Sequence, residues 1–414
     1  MALTTATEAV RRSRTVALWA WLGSPLARQL AGIFVLWATY VWITDVVATA
    51  VMHDGGHVLT ANWAAALNNW VADIHTAPPL ARWDSVWYYS IATEGYPART
   101  GLGIYNAGFM PLLGLLMRWG AALFHVSPYV AGTWVSRLAL LAGMYAFFFY
   151  VRADNDASPG ADRPRIEPLA PLLAMLFFPT AYILVSVYAE SLFFAFCVST
   201  FLLAKKRHYA LAAATAFLAG LSRAHVIALV PALGVLALEH WRGATWSRRA
   251  RAFLPMLGAV AALAAVAWHF KNVSGDPLLY VHRKTYFGTT NAGPAGAWRS
   301  TIWSINDARM RGHFGSIYTL LELPSAILLA ASGLILAWTK RFSEAVFVLG
   351  SLGLSVMAGS LWGLPRYTIF LFPVFMLIGR IHRRTALWNA YVLCGVLVQA
   401  CMMVNYVLLR APAP

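Results

Sequence analysis

One carboxylate of this sequence lies among aromatic side chains, in the segment between positions 82 and 96. The segment reads Arg82, Trp83, Asp84, Ser85, Val86, Trp87, Tyr88, Tyr89, Ser90, Ile91, Ala92, Thr93, Glu94, Gly95 and Tyr96. In a helix, Asp84, Trp87 and Tyr88 share one face, because residues three and four apart are neighbours. A carboxylate beside aromatic rings suits a sugar-binding site. The alternative is that Asp84 only caps the helix, as aspartate often does.

Three further charged residues stand alone between apolar runs: Glu190, Arg223 and Arg366. A charge at the centre of a bilayer costs about 2.5–3.5 kcal/mol, so such positions are informative. In the topology described below they fall at the outer ends of membrane spans, at the level of Asp84 and Glu94. We expect the four segments to converge on one site. The alternative is that each side chain extends separately to the lipid headgroups.

The composition predicts an all-α, polytopic membrane protein. Of 414 residues, 60% are hydrophobic and 12% are charged, and the mean hydropathy is +0.61. Soluble domains carry roughly 25% charged residues. The net charge of +16 would suggest nucleic acid in a soluble protein. Here the basic residues cluster in short loops, which is a topology signal, so we expect membrane lipids and no nucleic acid as partners.

About eleven apolar runs are interpreted as spans of one integral membrane domain, residues 1–414. They are Leu30–Val51, Pro128–Val151, Pro168–Val187, Ser191–Ala204, Tyr209–Leu221, His225–Leu238, Phe253–Phe270, Ile317–Trp338, Ala345–Leu361, Tyr367–Ile378 and Ala386–Leu409. With a cytoplasmic N-terminus, the basic clusters fall in cytoplasmic loops. The external loops are then 52–127 and 271–316, with Phe109–Phe124 as an interfacial helix.

A metal site is a weaker possibility. His53, Asp54, His57, Asp73 and His75 lie close in sequence, but Gly55 and Gly56 interrupt the first histidine pair. Without an HExxH pattern or a cysteine partner, the signal does not specify a metal. The three cysteines, Cys197, Cys394 and Cys401, lie in apolar runs and form no CxxC. We expect no firmly bound cofactor, and a divalent metal stays open.

Several blocks of the sequence resemble the PIG-V type mannosyltransferases, which have a GT-C type membrane glycosyltransferase fold. The first block is Trp83-Asp84, Trp87-Tyr88, Ile91-Ala92 and Gly95-Tyr96. The second runs from Phe178-Pro179 to Tyr188-Ala189-Glu190-Ser191-Leu192-Phe193, and the third is Ala219-Gly220-Leu221-Ser222-Arg223. Gly275-Asp276-Pro277 and Pro365-Arg366-Tyr367 are also similar to the family. The resemblance therefore spans most of the chain.

The resemblance implies a polyprenyl- or dolichyl-phosphate sugar donor, most often of mannose, and catalysis on the face away from the cytoplasm. It also implies that the aspartate of the first external region, Asp84, is the catalytic base. The chain departs from the family pattern after Arg223, where Ala224, His225 and Val226 follow. This departure leaves the identity of the sugar and of the lipid-linked or glycan acceptor undetermined.

A mechanism follows as a hypothesis. Asp84 accepts the proton of an acceptor hydroxyl, and Arg223 and Arg366 stabilise the departing lipid phosphate, with Arg283 and Lys284 as weaker candidates. Glu190 either holds the acceptor or pairs with an arginine. The remaining candidate substrate-binding residues are Arg82, Trp83, Trp87, Tyr88, Tyr188, His225 and Tyr367.

Two other functions compete with glycosyl transfer. One is a transporter or flippase of lipid-linked sugars, although such proteins usually place polar groups near the midplane in related repeats. The other is an inactive membrane scaffold. The compact loops favour a bacterial plasma membrane, with the site facing outward, over the endoplasmic reticulum.

Overall fold

A computed structural model describes residues 24–51, 80–96, 106–156, 165–241, 245–284, 292–311, 320–381 and 383–407. Within these ranges the chain is helical and contains no strand, as the composition predicts. Four of the described helices are long and apolar enough to cross a membrane: Pro25–Ala48, Pro128–Asp156, Trp246–Ser274 and Ala386–Val407. Five shorter apolar helices have 10–17 residues.

The chain divides into two compact units, 1–43 and 44–414. The described part of the first unit is the beginning of helix α1 (Pro25–Val51), where Pro25 occupies the first turn and the Ser24 hydroxyl accepts a hydrogen bond from the Ala27 amide. Proline suits this position because the first amides of a helix have no partner within the helix. All the other described elements belong to the second unit.

The aromatic segment forms the predicted short helix, α2 (Ser85–Thr93), and α3 (Pro111–Phe124) packs against it. The left-handed Gly95 (φ 78°) follows the end of α2. Arg118 of α3 donates from Nε to the Ala92 carbonyl at 2.5 Å, which satisfies one of the open carbonyls at that helix end. The two helices approach closely at Gly114, where a Cβ would lie 2.5 Å from the Ile91 side chain.

The apolar run 168–187, predicted as one span, is broken in the structure. After α4 (Pro128–Asp156) it forms α5 (Leu169–Leu176) and then a 3₁₀ helix (Ala181–Val185). Pro179 lies at the break and cannot donate a helical hydrogen bond. A later helix satisfies the freed carbonyls, because Gln399 Nε2 donates to the carbonyls of Leu176 and Phe178 at 3.2 and 2.9 Å.

The next four long elements follow one another along the chain. They are α6 (Glu190–Lys205), α7 (Tyr209–Ser222), α8 (Val226–Glu239) and the pair α9 (Trp246–Ala252) and α10 (Leu254–Ser274). Helices α7 and α10 meet at small residues, since a Cβ on Gly220 would lie 2.4 Å from Ala262 Cβ. Close contact at small residues is typical of helices that pack within membranes.

Most of the described residues in the second predicted external loop, 271–316, are helical. It contains the end of α10, α11 (Leu279–Lys284) and α12 (Gly293–Arg311). The remaining elements are α13 (Glu322–Trp338), α14 (Phe342–Met357), α15 (Leu364–Thr368), α16 (Phe372–Ile378) and α17 (Ala386–Val407). The predicted span Tyr367–Ile378 is therefore divided between α15 and α16, each of which has a proline in its first turn.

Candidate functional site

Asp84 directly precedes α2, but its side chain makes no capping hydrogen bond there. Oδ2 of Asp84 instead accepts a hydrogen bond at 2.7 Å from Nη1 of Arg366, which lies 282 positions away in sequence. The capping alternative therefore does not describe this carboxylate.

Four charged side chains form one cluster, which we call the Asp84 cluster: Asp84, Glu190, Arg223 and Arg366. Nε of Arg366 lies 3.1 Å from Oε1 of Glu190, and Nη1 of Arg223 lies 2.6 Å from the same oxygen. The exposed fraction of the side chain is 22% for Asp84 and 6% for Arg366. It is 10% for Arg223 and zero for Glu190. Two carboxylates thus balance two guanidinium groups in a largely buried site.

Each member of the cluster comes from a helix end. Glu190 is the first residue of α6, where the helix dipole favours a negative charge. Arg223 follows α7 in an extended conformation (φ −151°, ψ 147°). Arg366 lies in the short helix α15, which follows the left-handed Gly363. Because helix ends leave backbone groups unpaired, they can hold charges that a helix interior could not.

Aromatic rings enclose the two arginines. The Arg223 guanidinium lies 5.1 Å from the centre of the Tyr367 ring and 5.4 Å from that of Phe370. The Arg366 guanidinium lies 5.3 Å from the Tyr188 ring and 5.2 Å from the Tyr367 ring. A desolvated guanidinium over an aromatic face gains about 2 kcal/mol. The rings therefore help to stabilise buried positive charge.

The C-terminal helix anchors the backbone before Asp84. The Tyr406 hydroxyl accepts a hydrogen bond from the Arg82 amide at 3.3 Å, and Trp83 Nε1 donates to the Tyr406 carbonyl at 3.3 Å. Trp83 has a left-handed backbone (φ 55°), which costs an L-residue roughly 1–2 kcal/mol. The Asp84 amide donates to the Tyr188 hydroxyl at 3.2 Å. Sequence reasoning missed Tyr406, which no local motif marks.

The aromatic side chains of α2 are packed rather than open. Trp87 and Tyr88 are both buried. The Trp87 ring stacks on Phe109 with 5.9 Å between centroids, and Tyr88 meets the same ring edge-on at 5.4 Å. Tyr88 also lies within electrostatic range of all four charges of the Asp84 cluster. Glu94, expected at the same level as Asp84, is exposed at the other end of α2.

His225 and Lys284 lie beside the cluster. The His225 ring is 4.4 Å from the Tyr367 ring and 5.0 Å from the Phe370 ring, between centroids. Nζ of Lys284 lies 4.8 Å from the centre of the Phe109 ring and within electrostatic range of Tyr367 and His225.

Arg283, predicted alongside Lys284, lies near Asp276 instead. Nδ1 of His282 is 2.6 Å from Oδ2 of Asp276. The hydrogen bond from His282 lowers the pKa of the Asp276 carboxyl, and the Arg283 charge acts in the same direction. Lys284 lies beside the Asp84 cluster, and Arg283 lies near Asp276.

Arg82, a candidate substrate-binding residue, belongs to a second charged group. The sequence did not predict this grouping. The Arg82 charge lies within electrostatic range of Asp45 and Tyr129, and Asp45 in turn interacts with Arg137. Asp45 lies in α1 and is only 3% exposed. Asp45 stands alone within the apolar run Leu30–Val51, so the signal that marked Glu190 as a candidate could also have marked Asp45.

The opposite ends of several of these helices carry another ion-pair network, which we call the opposite-end cluster: Tyr150, Asp154, Lys205, Glu239, Arg341, Ser343 and Glu344. Nη1 of Arg341 lies 2.7 Å from Oδ2 of Asp154, and Arg341 also pairs with Glu344. Lys205 pairs with Asp154. Glu190 and Lys205 bound α6, so the two clusters are about 22 Å apart at 1.5 Å per residue.

The residues considered for a metal, His53, Asp54, His57, Asp73 and His75, lie outside the described residues. Within the described ranges, no group of three histidine, cysteine or acidic side chains could hold a metal ion. Cys197 is buried, while Cys394 and Cys401 are exposed on the helix surface.

Fold and site together describe an all-helical protein whose long apolar helices are compatible with a membrane and whose helix ends hold charged clusters. Comparison of the chain with family models, with curated proteins and with solved structures returned no match.

Proposed function

We propose that this chain is a membrane-embedded glycosyltransferase. It transfers a hexose, with mannose expected, from a polyprenyl- or dolichyl-phosphate sugar to a lipid-linked or glycan acceptor. One observation carries the proposal: the Asp84 carboxylate, 22% exposed, lies 2.7 Å from a buried guanidinium of Arg366. A proton acceptor and a phosphate-binding cation, the two groups that this reaction requires, are therefore adjacent.

The reaction is a single displacement that inverts the anomeric configuration. The acceptor hydroxyl oxygen attacks the anomeric carbon while Asp84 takes its proton, because a neutral hydroxyl is a poor nucleophile. The bond between the anomeric carbon and the phosphate oxygen breaks, and the lipid phosphate leaves with the electron pair. The proton passes from Asp84 to water after the product leaves.

The leaving group needs positive charge rather than a proton donor. Arg223 and Arg366 supply charge-assisted hydrogen bonds to phosphate oxygens, and Lys284 adds a third cation. Because the arginines are buried, their charges act through a medium less polarisable than water and stabilise the developing phosphate more strongly. His225, Tyr188 and Tyr367, which lie around the arginines, are the proposed contacts of the sugar.

The proposal includes a GT-C-like bundle of about eleven spans, several of them short or broken. The Asp84 cluster lies at the outer face, and the opposite-end cluster lies on the cytoplasmic side. The basic residues beside the opposite-end cluster support this orientation, because lysine and arginine accumulate in cytoplasmic loops. A bacterial plasma membrane is the proposed location.

The alternative function is a transporter or flippase of lipid-linked sugars. One observation favours it: ion pairs join the helices at both ends of α6, at Glu190 and at Lys205, as closures on the two sides of a transport path would. Glycosyl transfer is preferred because Asp84 is partly open, which suits a residue that must meet a substrate hydroxyl.

The test is transfer by purified protein in lipid nanodiscs, with polyprenyl-phosphate mannose, glucose and galactose offered in parallel to candidate glycolipid acceptors. We expect a new glycosidic linkage with the wild type and none with Asp84→Ala. Glu94→Gln, which removes an exposed carboxylate from the same helix, should keep the activity. Movement of the donor across vesicles without any new linkage would identify a flippase. The same transfer assay in the presence of a chelator shows whether a divalent metal is required.

A further inference from the structure

We infer that Asp84 competes with the donor phosphate for Arg366, so that donor binding releases the base. The inference rests on the proposed function, because it concerns the same phosphate and the same carboxylate. It adds that Asp84 stays paired with Arg366 until the donor phosphate binds.

The first step is the occupancy of Arg366. Its Nη1 donates to Asp84 at 2.7 Å, and its Nε lies 3.1 Å from Glu190. Nη2 reaches the Tyr367 hydroxyl at 3.5 Å. A guanidinium offers five N–H donors in one plane, and one of those on Nη1 is donated to the partly exposed Asp84 carboxylate. A phosphate that binds Arg366 through this N–H group must displace Asp84.

Asp84, rather than Glu190, is the carboxylate that leaves Arg366 when the phosphate binds. The Glu190 side chain has no exposed surface and its Oε1 contacts both arginines. Its departure would leave the buried Arg223 guanidinium without its carboxylate partner, which is strongly unfavourable. The Asp84 side chain is 22% exposed and contacts one arginine. Asp84 is therefore the exchangeable partner, and Glu190 is the positioning residue that holds both arginines during the exchange.

The third step is the electrostatic balance. A phosphodiester donor carries one negative charge, as the Asp84 carboxylate does. Exchange of one for the other leaves Arg366 compensated throughout, so it avoids the cost of an unpaired buried charge. The released carboxylate lies next to the bound donor, where it can accept the proton of an acceptor hydroxyl. Binding is then ordered, with donor before acceptor.

The experiment compares binding of polyprenyl-phosphate mannose by wild type and Asp84→Asn in nanodiscs, with a short water-soluble phosphodiester as a second ligand. Asparagine removes the competing charge. If Asp84 occupies Arg366 about nine-tenths of the time, the dissociation constant should fall about 10-fold, because apparent affinity scales with the competent fraction. The soluble phosphodiester should show the same ratio, which assigns the effect to the phosphate rather than to the lipid chain.

The ligand-free melting temperature separates this role from a merely structural one. Asp84→Asn loses an ion pair, so the ligand-free protein should melt at a lower temperature although it binds phosphate more tightly. Asp84→Ser gives the same comparison should the asparagine variant fail to fold, and Glu94→Gln is the matched control on the same helix. Equal or weaker phosphate binding by both Asp84 variants would overturn the inference.

The outcome is distinguishable from failure of the proposed function. Tighter phosphate binding by the variants, with no transfer by the wild type, would support the exchange and reject the glycosyltransferase. Transfer by the wild type, with unchanged phosphate binding in the variants, would support the enzyme and reject the exchange.

Discussion

Nη1 of Arg223 lies 2.6 Å from Oε1 of Glu190, and the Glu190 side chain has no exposed surface. The pair joins the end of α7 to the start of α6, and through Arg366 it is connected to Asp84. Charges buried this deeply persist only when they compensate each other. The geometry of the candidate site and the stability of the helix ends around it are therefore linked.

Glu190→Gln should destabilise the protein by about 3–5 kcal/mol, the range for breaking a buried ion pair. The glutamine leaves Arg223 and Arg366 without their shared counter-charge. Reversible unfolding in detergent measures the loss. The control is Glu167→Gln, whose partner is Arg383 and whose side chain is 58% exposed. Exposed pairs contribute about 0–1 kcal/mol. A loss for Glu190→Gln no larger than for Glu167→Gln would contradict this prediction.

Asp84→Asn should lower the rate of sugar transfer by about 10²–10⁴-fold, the usual contribution of a positioned base. Asparagine keeps the shape of the side chain but cannot take the proton. The rate with saturating donor and acceptor is the measurement. Glu94→Gln should retain wild-type turnover. Full activity of Asp84→Asn would exclude Asp84 as the base.

Gly114→Ala should destabilise the packing of α3 on α2 by about 1–3 kcal/mol, as overpacking of a closed core does. The added Cβ would lie 2.5 Å from Ile91 Cγ2 and 2.6 Å from Ile91 Cβ, so rotation of the isoleucine cannot relieve the contact. The melting temperature should fall. The transfer rate should fall as well, because α2 begins next to Asp84.

Gly353→Ala is the matched control for that substitution. Gly353 lies inside α14, and a Cβ there has no atom within 4 Å. Alanine should be neutral or stabilise by about 0.5–1 kcal/mol, because it is the better helix former. Equal effects of the two substitutions on stability would show that the close helix contact at Gly114 does not stabilise the packing of α3 on α2.

Arg341→Gln should destabilise the opposite-end cluster, again by about 3–5 kcal/mol, because it removes the shared partner of Asp154 and Glu344. Transfer per folded molecule should change little, because the Asp84 cluster is about 22 Å away along α6. Lys340→Gln, at the exposed neighbouring position, is the control. A selective loss of transfer would instead favour a coupled, transporter-like mechanism.

The orientation can be tested by cysteine labelling of intact cells, in a background where the three native cysteines are replaced. His282 is 62% exposed in its side chain and belongs to the proposed outer face. His282→Cys should react with a membrane-impermeant maleimide. Lys206→Cys, exposed at the other end of α6, should react only after the membrane is opened. The reverse pattern would invert the proposed topology.

Local sequence patterns were sufficient for some of these features. The spacing around Asp84 predicts a short helix, and Ser85–Thr93 forms one, because helical periodicity depends on neighbours within a few residues. The composition predicts an all-helical chain, and the described residues are helical. The isolated positions of Glu190, Arg223 and Arg366 marked them as candidates, because unpaired charge in an apolar run is costly.

Other features depended on contacts between distant segments. Only the tertiary structure decided that run 168–187 breaks, since Gln399, far along the chain, satisfies the carbonyls at the break. The tertiary structure also showed that Arg366 pairs with Asp84 and Glu190 rather than with lipid headgroups. It further placed Tyr406 against the backbone of Arg82. The sequence by itself determined which residues are too polar for an apolar surrounding. Which partner each one finds is a property of the packed helices, because compensation of a charge requires a second group within a few ångströms.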